Sequence, residues 1–341
     1  MSEPFDAVLV VAFGGPQGPA DVRPFLANVL RGRRISPARL EEVVGHYEHF
    51  GGVSPLTDIT MKQARGLDSR LSARGFHLPV YVGMRNWNPF LSDTLRRMSS
   101  DGVRRAIGLV LAAHRSYSSC TQYRQNVLDA RGEIAAAGLR DVPVIYTGDW
   151  HTHPKFIAAN AQHLSRAIER LPESVQAQAQ VVFTAHSVPA SMSGAARYHQ
   201  QIVESARLVA DGAGRRDWAV VFQSRSGRPE DPWLGPDVCE YLREAKARGV
   251  AAVILAPIGF VCDHIEVLYD LDVEAAQVCR EIDLPMVRAE TVNDNPIFLD
   301  MTADVVLDVW KKYERGRPLA LAPASPPERV EGPPPRRGPS G

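Results

Sequence analysis

Short runs of apolar, often β-branched residues alternate along the chain with longer segments in which apolar positions recur every three or four residues. The short runs predict strands covered on both faces, and the longer segments predict amphipathic helices. The predicted strands are 7–12, 80–83, 106–112, 142–146, 180–184, 218–223, 251–257 and 285–288. The predicted helices include 37–50, 57–73, 89–99, 155–170, 194–210, 236–248 and 296–313.

The eight strands form two groups of four, with a break near residues 146–154. Strand–helix alternation is typical of parallel sheets with right-handed crossovers. We therefore predict an α/β fold with two similar Rossmann-like, doubly wound domains, each with a parallel four-stranded sheet, and a cleft between them. The predicted domains are 1–146 and 147–295. The tail, 315–341, is rich in Pro, Gly and Arg and is predicted to be disordered because it lacks apolar residues.

The overall charge excludes some functions. Lys plus Arg equals Asp plus Glu at 39 each, so no net field favours nucleic acid or an acidic membrane. No apolar run is long enough to span a bilayer, and acidic residues near the start argue against a signal peptide. The four cysteines, at 120, 239, 262 and 279, form no CxxC pair. Scattered reduced thiols are typical of a cytoplasmic protein.

Several familiar motifs are absent. The glycine-rich turn after the first strand, Gly14-Gly15-Pro16-Gln17-Gly18, is not GxGxxG, and Pro16 lacks an amide donor. There is no P-loop and no GxSxG elbow. His151 and His153 could be half of a metal site, but histidines in such a loop are more often solvated or capping residues.

His186, in the run FTAHSVP, follows a buried strand. Doubly wound sheets bind ligands at the carboxyl ends of their strands. A histidine in that position can accept a proton near neutral pH or bind a metal through a neutral nitrogen. The alternative is a packed, hydrogen-bonded histidine at a strand end.

An acidic segment follows the strand at 251–257. Glu266, Asp270 and Glu274 recur every four residues, which places three carboxylates on one face of a helix. Like charges at this spacing destabilise an isolated helix, so the pattern indicates either a conduit for cations or protons or a solvated acidic face. His264 and Asp263 lie at the start of this helix, and Asp263 is a candidate helix cap.

His186 and the acidic helix follow two strands that can lie side by side. A nitrogen base would then face a carboxylate across a cleft. Such a pair suits a borderline divalent metal such as Fe(II), Co(II) or Zn(II). It also suits the removal of protons from a bound acid.

The chain resembles the ferrochelatase family over about residues 6–313. FTAHSVP and PIGFVCDHIEVLYDLDVEA resemble the family's histidine and glutamate signatures, and QSRSGRPEDPWLGP resembles the stretch between them. Five further segments resemble family motifs in kind and occur in the same order: AFGGP, RGRR, HYEHFGGVSPL, GMRNWNPFLSDTL and HRSYSSCTQYR. The resemblance implies insertion of Fe(II) into a porphyrin in the cleft. It makes His186 and Glu266 catalytic and gives His186, Glu266, Asp270 and Glu274 as the metal contacts. The helix 296–313 would pack back onto the first half.

The resemblance also implies which residues contact the porphyrin. They are Phe13, Gly14, Gly15, Pro16, Arg31, Arg33, His46, Tyr47, Ser54, Arg85, Ser116 and Tyr123. His46 stands where some members have arginine, so its charge depends on pH. Gln17 stands where some members have a tyrosine that binds iron in the product, so we do not expect that ligand here.

The residues of these motifs are most similar to those of actinobacterial ferrochelatases. This similarity favours coproporphyrin III over protoporphyrin IX as the substrate. A cobalt chelatase and a non-catalytic porphyrin carrier are alternatives. Some members hold a [2Fe–2S] cluster through four cysteines, but the C-terminal tail has none, so we expect no cluster and no tightly bound cofactor. Cys239, Cys262 and Cys279 are predicted core residues. We expect a monomer with transient contacts to neighbouring haem-pathway enzymes.

Overall fold

The computed structural model describes residues 4–32, 36–117, 121–226 and 231–316. Two parallel four-stranded sheets organise the chain, with the orders β2-β1-β3-β4 and β6-β5-β7-β8. This arrangement confirms the predicted α/β fold. The strands are β1 (Ala7–Ala12), β2 (Val80–Met84), β3 (Ala106–Val110), β4 (Val144–Tyr146), β5 (Gln180–His186), β6 (Trp218–Gln223), β7 (Val253–Ala256) and β8 (Met286–Arg288).

Helices cover the faces of both sheets. In the first half they are α1 (Pro19–Val29), α2 (Pro37–His49), α3 (Leu56–Ala73), α4 (Leu91–Ser100) and α5 (Gln122–Ala136). In the second half they are α6 (Pro154–Ile168), α7 (Glu173–Gln176), α8 (Ala195–Gly212), α9 (Val238–Ala247), α10 (Ile265–Val267), a π-helix (Leu268–Ala275) and α11 (Ala276–Glu281). The last helix is α12 (Pro296–Glu314).

The central strands are buried on both faces, as their continuous apolar sequences predict. All six residues of β1 and all four of β7 are buried. Burying each Val, Leu or Ile side chain contributes roughly 1.5–3 kcal/mol. These strands therefore fix the position of everything attached to their ends.

The strand order creates an equivalent opening in each half. The first and third strands of each sheet are neighbours, β1 with β3 and β5 with β7, while the second strand lies on the far side of the first. The connections therefore leave in opposite directions at the carboxyl ends of these neighbouring strands. Open α/β sheets bind ligands at such a switch point.

Helix α12 joins the two halves. It packs against α3 of the first half and α6 of the second. Arg70 of α3 and Arg74, the residue after this helix, form 2.8 Å ion pairs with Asp300 and Asp304 of α12, respectively. The contact is close because a Cβ on Gly66 would lie 2.5 Å from Leu299 Cδ1.

The structure also contains helices that were not named from the pattern. Helix α1 contains Pro24, and its start at Gly18-Pro19 has the composition of a loop. Helix α5 buries only a narrow stripe, with Leu128 half exposed on the opposite face. The short α7 has no buried residue. A weak or interrupted apolar stripe explains each omission.

No helix within the described ranges is long and apolar enough to cross a membrane.

Candidate active site

A histidine and a glutamate meet at the switch point of the second sheet. His186 is the last residue of β5, and Glu266 lies in α10, shortly after β7. Because β5 and β7 are paired, their carboxyl ends lie side by side. The Nε2 atom of His186 lies 3.8 Å from Oε2 of Glu266. This is the pair that the sequence predicted across the cleft.

Backbone contacts orient the His186 ring. Its Nδ1 atom hydrogen-bonds the carbonyl oxygen of Ser187. A carbonyl only accepts, so Nδ1 carries the hydrogen and Nε2 of the neutral ring presents a lone pair. Tyr198 donates a 3.1 Å hydrogen bond to the His186 carbonyl and holds the backbone below the ring. His186 therefore presents a proton acceptor toward Glu266.

His264 is a second imidazole at Glu266. Its Nδ1 donates to the Cys262 carbonyl oxygen at 3.3 Å, and its Nε2 lies 3.4 Å from Glu266 Oε2. The sequence placed His264 at the helix start without giving it a role in the site. The direction of the His264 side chain depends on the conformation of the loop after β7, and no local sequence pattern predicts that conformation.

The Glu266 carboxyl is held in its ionised form. Burial raises its pKa, but the positive charge that His186 and His264 carry when protonated outweighs that effect and lowers the pKa well below its usual range. The side chain keeps 46% of its surface accessible. Glu266 is therefore an anion available to a cation.

Asp270 has the opposite electrostatic environment. Burial raises the pKa of Asp270 to about 7, helped by the charges of Glu266 and Glu274, although hydrogen bonds from Ser224 and Gln223 oppose the rise. Neighbouring carboxyls whose pKa values are pushed apart are typical of acid–base sites. Asp270 can therefore take up and release a proton near neutral pH.

Glu274 continues the row and is half-buried. Burial and the nearby Asp237 raise its pKa, while Arg39 of α2 opposes the rise. The backbone that carries Asp270 and Glu274 is a π-helix instead of the regular α-helix expected from the sequence. The i→i+5 hydrogen bonds of a π-helix widen each turn, and π-turns are frequent at functional sites. Residues four apart still lie on nearly one face.

Asp263 is not the helix cap that the sequence suggested. The N-cap of α10 is His264, and no side chain caps it. Asp263 Oδ1 forms a 3.1 Å ion pair with Arg288, and its other oxygen accepts from Asn293 Nδ2. The carboxylate instead ties the loop after β7 to the end of β8.

Among the described residues, no three or more His, Cys, Asp or Glu side chains are grouped so as to hold a metal ion. His151 and His153 do not converge. His151 Nε2 lies 3.0 Å from Glu204 Oε2, whereas His153 caps α6 by accepting from the Lys155 amide. The capping alternative is therefore the one observed for His153.

The first switch point contributes a tightly packed loop after β1. Gly14 has φ +86°, and Gly14, Gly15 and Pro16 are buried. The Ser54 amide donates to the Pro16 carbonyl at 2.9 Å, and a Cβ on Gly15 would lie 2.8 Å from Ser54 Cβ. Phe13 packs edge-on against Phe25 of α1. This loop is rigid because small residues permit the close approach.

Helix α2 lies against the acidic segment. The His46 ring stacks on Tyr269 at a centroid distance of 3.7 Å, and burial and Arg39 lower the pKa of His46. Tyr47 is buried in a cluster with Phe25 and Ile265, the residue before Glu266. The predicted contacts His46 and Tyr47 thus lie beside the carboxylate row.

The remaining predicted contacts are distributed around the first half. Arg31 is exposed and donates to Asn28 at 2.7 Å, whereas Arg33 lies outside the described residues. Arg85 donates to Gln122 Oε1 at 2.7 Å. Ser116 and Tyr123 are buried in the loop after β3 and at the start of α5.

The remaining sequence predictions concern Gln17 and the cysteines. Gln17 is exposed, and its backbone N–H donates to Asp21 Oδ2 at 3.1 Å. Cys262 and Cys279 are buried free thiols, Cys239 is partly buried, and Cys120 lies outside the described residues.

The site combines a proton acceptor, a carboxylate and a row of titratable acids beyond the carboxyl edge of the second sheet. Such a site can remove protons from a flat ligand in the cleft and admit a divalent cation. The fold of the chain is that of chelatases. The sirohydrochlorin chelatase SirB of Bacillus subtilis, solved with Fe3+, superposes with a TM-score of 0.57 at 10% identity, over 91% of this chain and 97% of that one.

The sequence itself gives the family. Residues 5–309 match the ferrochelatase family, and the chain belongs to it. It is 45% identical to the ferrochelatase of Rhodopirellula baltica, covering 90% of this chain and 87% of that protein. It is 44% identical to the coproporphyrin III ferrochelatases of Streptomyces coelicolor (90% and 86% covered) and Mycolicibacterium smegmatis (97% and 94%). The protein is therefore an enzyme of the porphyrin metal chelatase class.

Proposed function

We propose that this protein inserts Fe(II) into coproporphyrin III to give coprohaem in haem biosynthesis. The observation that carries the proposal is the His186–Glu266 pair, in which a lone pair and a carboxylate lie 3.8 Å apart at a switch point. The choice of porphyrin is supported by the Streptomyces and Mycolicibacterium relatives at 44% identity.

In this proposal the chain works as two domains, 1–146 and 147–295, with the porphyrin between them. The rigid loop of Gly14 and Gly15 supports one edge of the ring. Arg31 and Arg33 follow α1 and are proposed to bind propionates, because guanidinium groups pair with carboxylates in a bidentate way. Helix α12 keeps the halves together through its contacts with α3 and α6.

Metal insertion releases two pyrrole protons for each Fe(II) that enters. His186 accepts the first through Nε2, since Nδ1 already carries a hydrogen bonded to Ser187. The resulting imidazolium is stabilised by the Glu266 carboxylate opposite it. This role requires that the porphyrin nitrogens lie within hydrogen-bond reach of Nε2.

The second proton leaves on the Glu266 side. The Nε2 atom of His264 lies 3.4 Å from Oε2 of Glu266, so the carboxylate can pass a proton to this imidazole. Glu266 also offers a negative charge to the incoming Fe(II) beside His186. Placed charges of this kind stabilise the transition state without reorganisation.

The carboxylates at 270 and 274 extend the site toward the surface. Glu274 is half-buried and Asp270 is buried between it and Glu266. We propose that this row carries protons outward or the cation inward. A buried acid with a pKa near 7 suits a relay, because both of its protonation states are populated.

No resident cofactor is part of the proposal, and Fe(II) and porphyrin are both substrates. The proposal places the reaction in the cytoplasm, a location supported by the free thiols of Cys239, Cys262 and Cys279. It treats the enzyme as a monomer with transient partners in the pathway.

The direct test is anaerobic Fe(II) insertion followed by absorbance, with coproporphyrin III and protoporphyrin IX in parallel. Faster turnover of coproporphyrin III supports the proposal. Preference for protoporphyrin IX would keep the enzyme class and overturn the substrate. Tight porphyrin binding without turnover of either would favour a carrier, and turnover with Co(II) alone would favour a cobalt chelatase.

A further inference from the structure

The side chain of Gln223 occupies the centre of a buried hydrogen-bond network behind the His186–Glu266 pair. Gln223 ends β6 and is 1% exposed. Its Oε1 accepts from Thr184 Oγ1 at 2.8 Å, and its Nε2 donates to the Glu266 carbonyl at 3.0 Å and to Asp270 Oδ2 at 3.2 Å. The amide therefore uses both of its N–H donors and its acceptor.

These partners fix the orientation of the amide. The Glu266 carbonyl can only accept, so the nitrogen must face it, and the oxygen must then face the Thr184 hydroxyl. A buried network in which each donor and acceptor is used favours one arrangement, because any rotation would leave a buried polar group unpaired.

The backbone of Gln223 contacts the other member of the pair. His186 lies opposite Gln223 in the β5–β6 register, and the Ser187 amide donates to the Gln223 carbonyl at 2.8 Å. Ser187 is also the residue whose own carbonyl orients the His186 ring. One residue thus holds the strand end that carries His186 and the segment that carries Glu266 and Asp270.

We propose that Gln223 is a positioning residue for metal insertion: its amide sets the separation of His186 and Glu266 and aims the carboxylate of Asp270 along the row. It acts through these residues and does not touch the porphyrin. The inference rests on the proposed function and gives a role to Gln223, the first residue of the QSRSGRPEDPWLGP stretch, to which the family resemblance assigned none.

The expected effect is on use of the metal. Without the amide, the start of the π-helix loses its attachment to β6, so Glu266 and Asp270 move relative to His186. Losing a group that orients metal-contacting residues commonly costs about 10- to 100-fold in activity or metal affinity. Porphyrin binding should change little, because the predicted porphyrin contacts lie mainly in the first half.

A matched control exists at the opposite end of the same sheet. Gln180 begins β5 and is 7% exposed. It donates to Asp217 Oδ1 at 2.7 Å and accepts from the Tyr241 hydroxyl at 2.8 Å. Gln180→Met and Gln223→Met each remove one buried amide of the same size from one sheet, so they separate a role in stability from a role in the site.

The experiment measures three quantities on the full chain: Fe(II) insertion at varied Fe(II) and saturating coproporphyrin III, porphyrin binding by fluorescence quenching, and thermal unfolding. We expect Gln223→Met to lower kcat/KM for Fe(II) by about 10- to 100-fold. Its porphyrin Kd should stay close to that of the wild type. Gln180→Met should lower the unfolding temperature to a similar extent while keeping the insertion rate.

A second pair of variants tests the same idea with smaller changes. Thr184→Val removes the hydroxyl that holds the Gln223 oxygen, and Thr184→Ser restores it. We expect a partial loss of kcat/KM for Fe(II) in Thr184→Val and rescue in Thr184→Ser. This pair decides the matter if Gln223→Met does not fold.

The possible outcomes separate the two proposals. An active wild type in which Gln223→Met keeps its Fe(II) kinetics, or loses only porphyrin affinity, would overturn the positioning role alone. Equal Fe(II) kinetics in Thr184→Val and Thr184→Ser would also overturn it. A wild type that inserts iron into neither porphyrin would overturn the proposed function and this inference with it.

Discussion

The Nε2 atom of His186 faces Oε2 of Glu266 at 3.8 Å, although 80 residues of chain separate the two side chains. The gap is slightly longer than a hydrogen bond, so the two groups oppose one another without being locked together. Both side chains remain partly exposed, His186 to 34% and Glu266 to 46%. A proton acceptor and an anion are thereby available to the same ligand.

Replacing His186 with alanine should remove the first proton acceptor. We expect Fe(II) insertion to fall by about 100- to 10,000-fold, the usual contribution of a general base. Porphyrin binding, measured by fluorescence quenching, should remain. Added imidazole should restore part of the rate. His199→Ala, on the exposed face of α8, is the control. Weakened porphyrin binding with an intact rate per bound porphyrin would contradict this role.

The variant Glu266→Gln keeps the shape of the side chain and removes its charge. We expect kcat/KM for Fe(II) to fall by about 100-fold, because an electrostatic contact made in the transition state is lost. The measurement is the Fe(II) dependence of insertion at saturating porphyrin. Glu240→Gln, on the exposed face of α9, should behave as the wild type. Unchanged Fe(II) dependence in Glu266→Gln would exclude a role of the charge.

Asp270 should make folding stability depend on pH. Its pKa is about 7 in the folded protein and near the ordinary 3.8 in the unfolded chain. The folded protein therefore takes up the proton first, so this contribution to stability is complete near pH 4 and is lost as the pH rises through 7. Asp270→Asn removes the titration. Relative to the wild type, the variant should gain up to about 3 kcal/mol between pH 5 and pH 8.

Urea unfolding at the two pH values tests the Asp270 prediction. Asp68→Asn, an exposed substitution on α3, is the matched control and should follow the wild type at both values. A difference between Asp270→Asn and the wild type that is the same at pH 5 and pH 8 would show that Asp270 does not titrate in this range.

The loop after β1 should not tolerate a larger residue at Gly15. An added Cβ would lie 2.8 Å from Ser54 Cβ and 2.9 Å from Ser54 Oγ, so the loop must shift. We expect Gly15→Ala to lose about 1–3 kcal/mol in urea unfolding, as is typical of overpacking, and to bind porphyrin more weakly. Gly18→Ala has open space around it and should be close to neutral. Equal behaviour of the two variants would contradict the proposed rigidity.

Local sequence determined most of the backbone. The apolar runs predicted β1 and β6 to the residue and the other strands within a few positions, because a strand covered on both faces must be apolar throughout. The same patterns placed His186 and Glu266 after neighbouring strands. Parallel topology then brought them together, since carboxyl ends of neighbouring parallel strands meet at one edge.

The tertiary structure decided what local patterns cannot encode. The sequence predicted Asp263 as a helix cap, but in the folded chain Arg288 of β8 lies beside it and forms an ion pair with it. Gln223 looked like a strand terminus, yet its amide joins three chain segments. The π-helix and the direction of His264 likewise depend on the neighbours packed around them. Hydrophobic periodicity reports which face is buried, whereas buried polar groups take whichever partner the fold brings within hydrogen-bond distance.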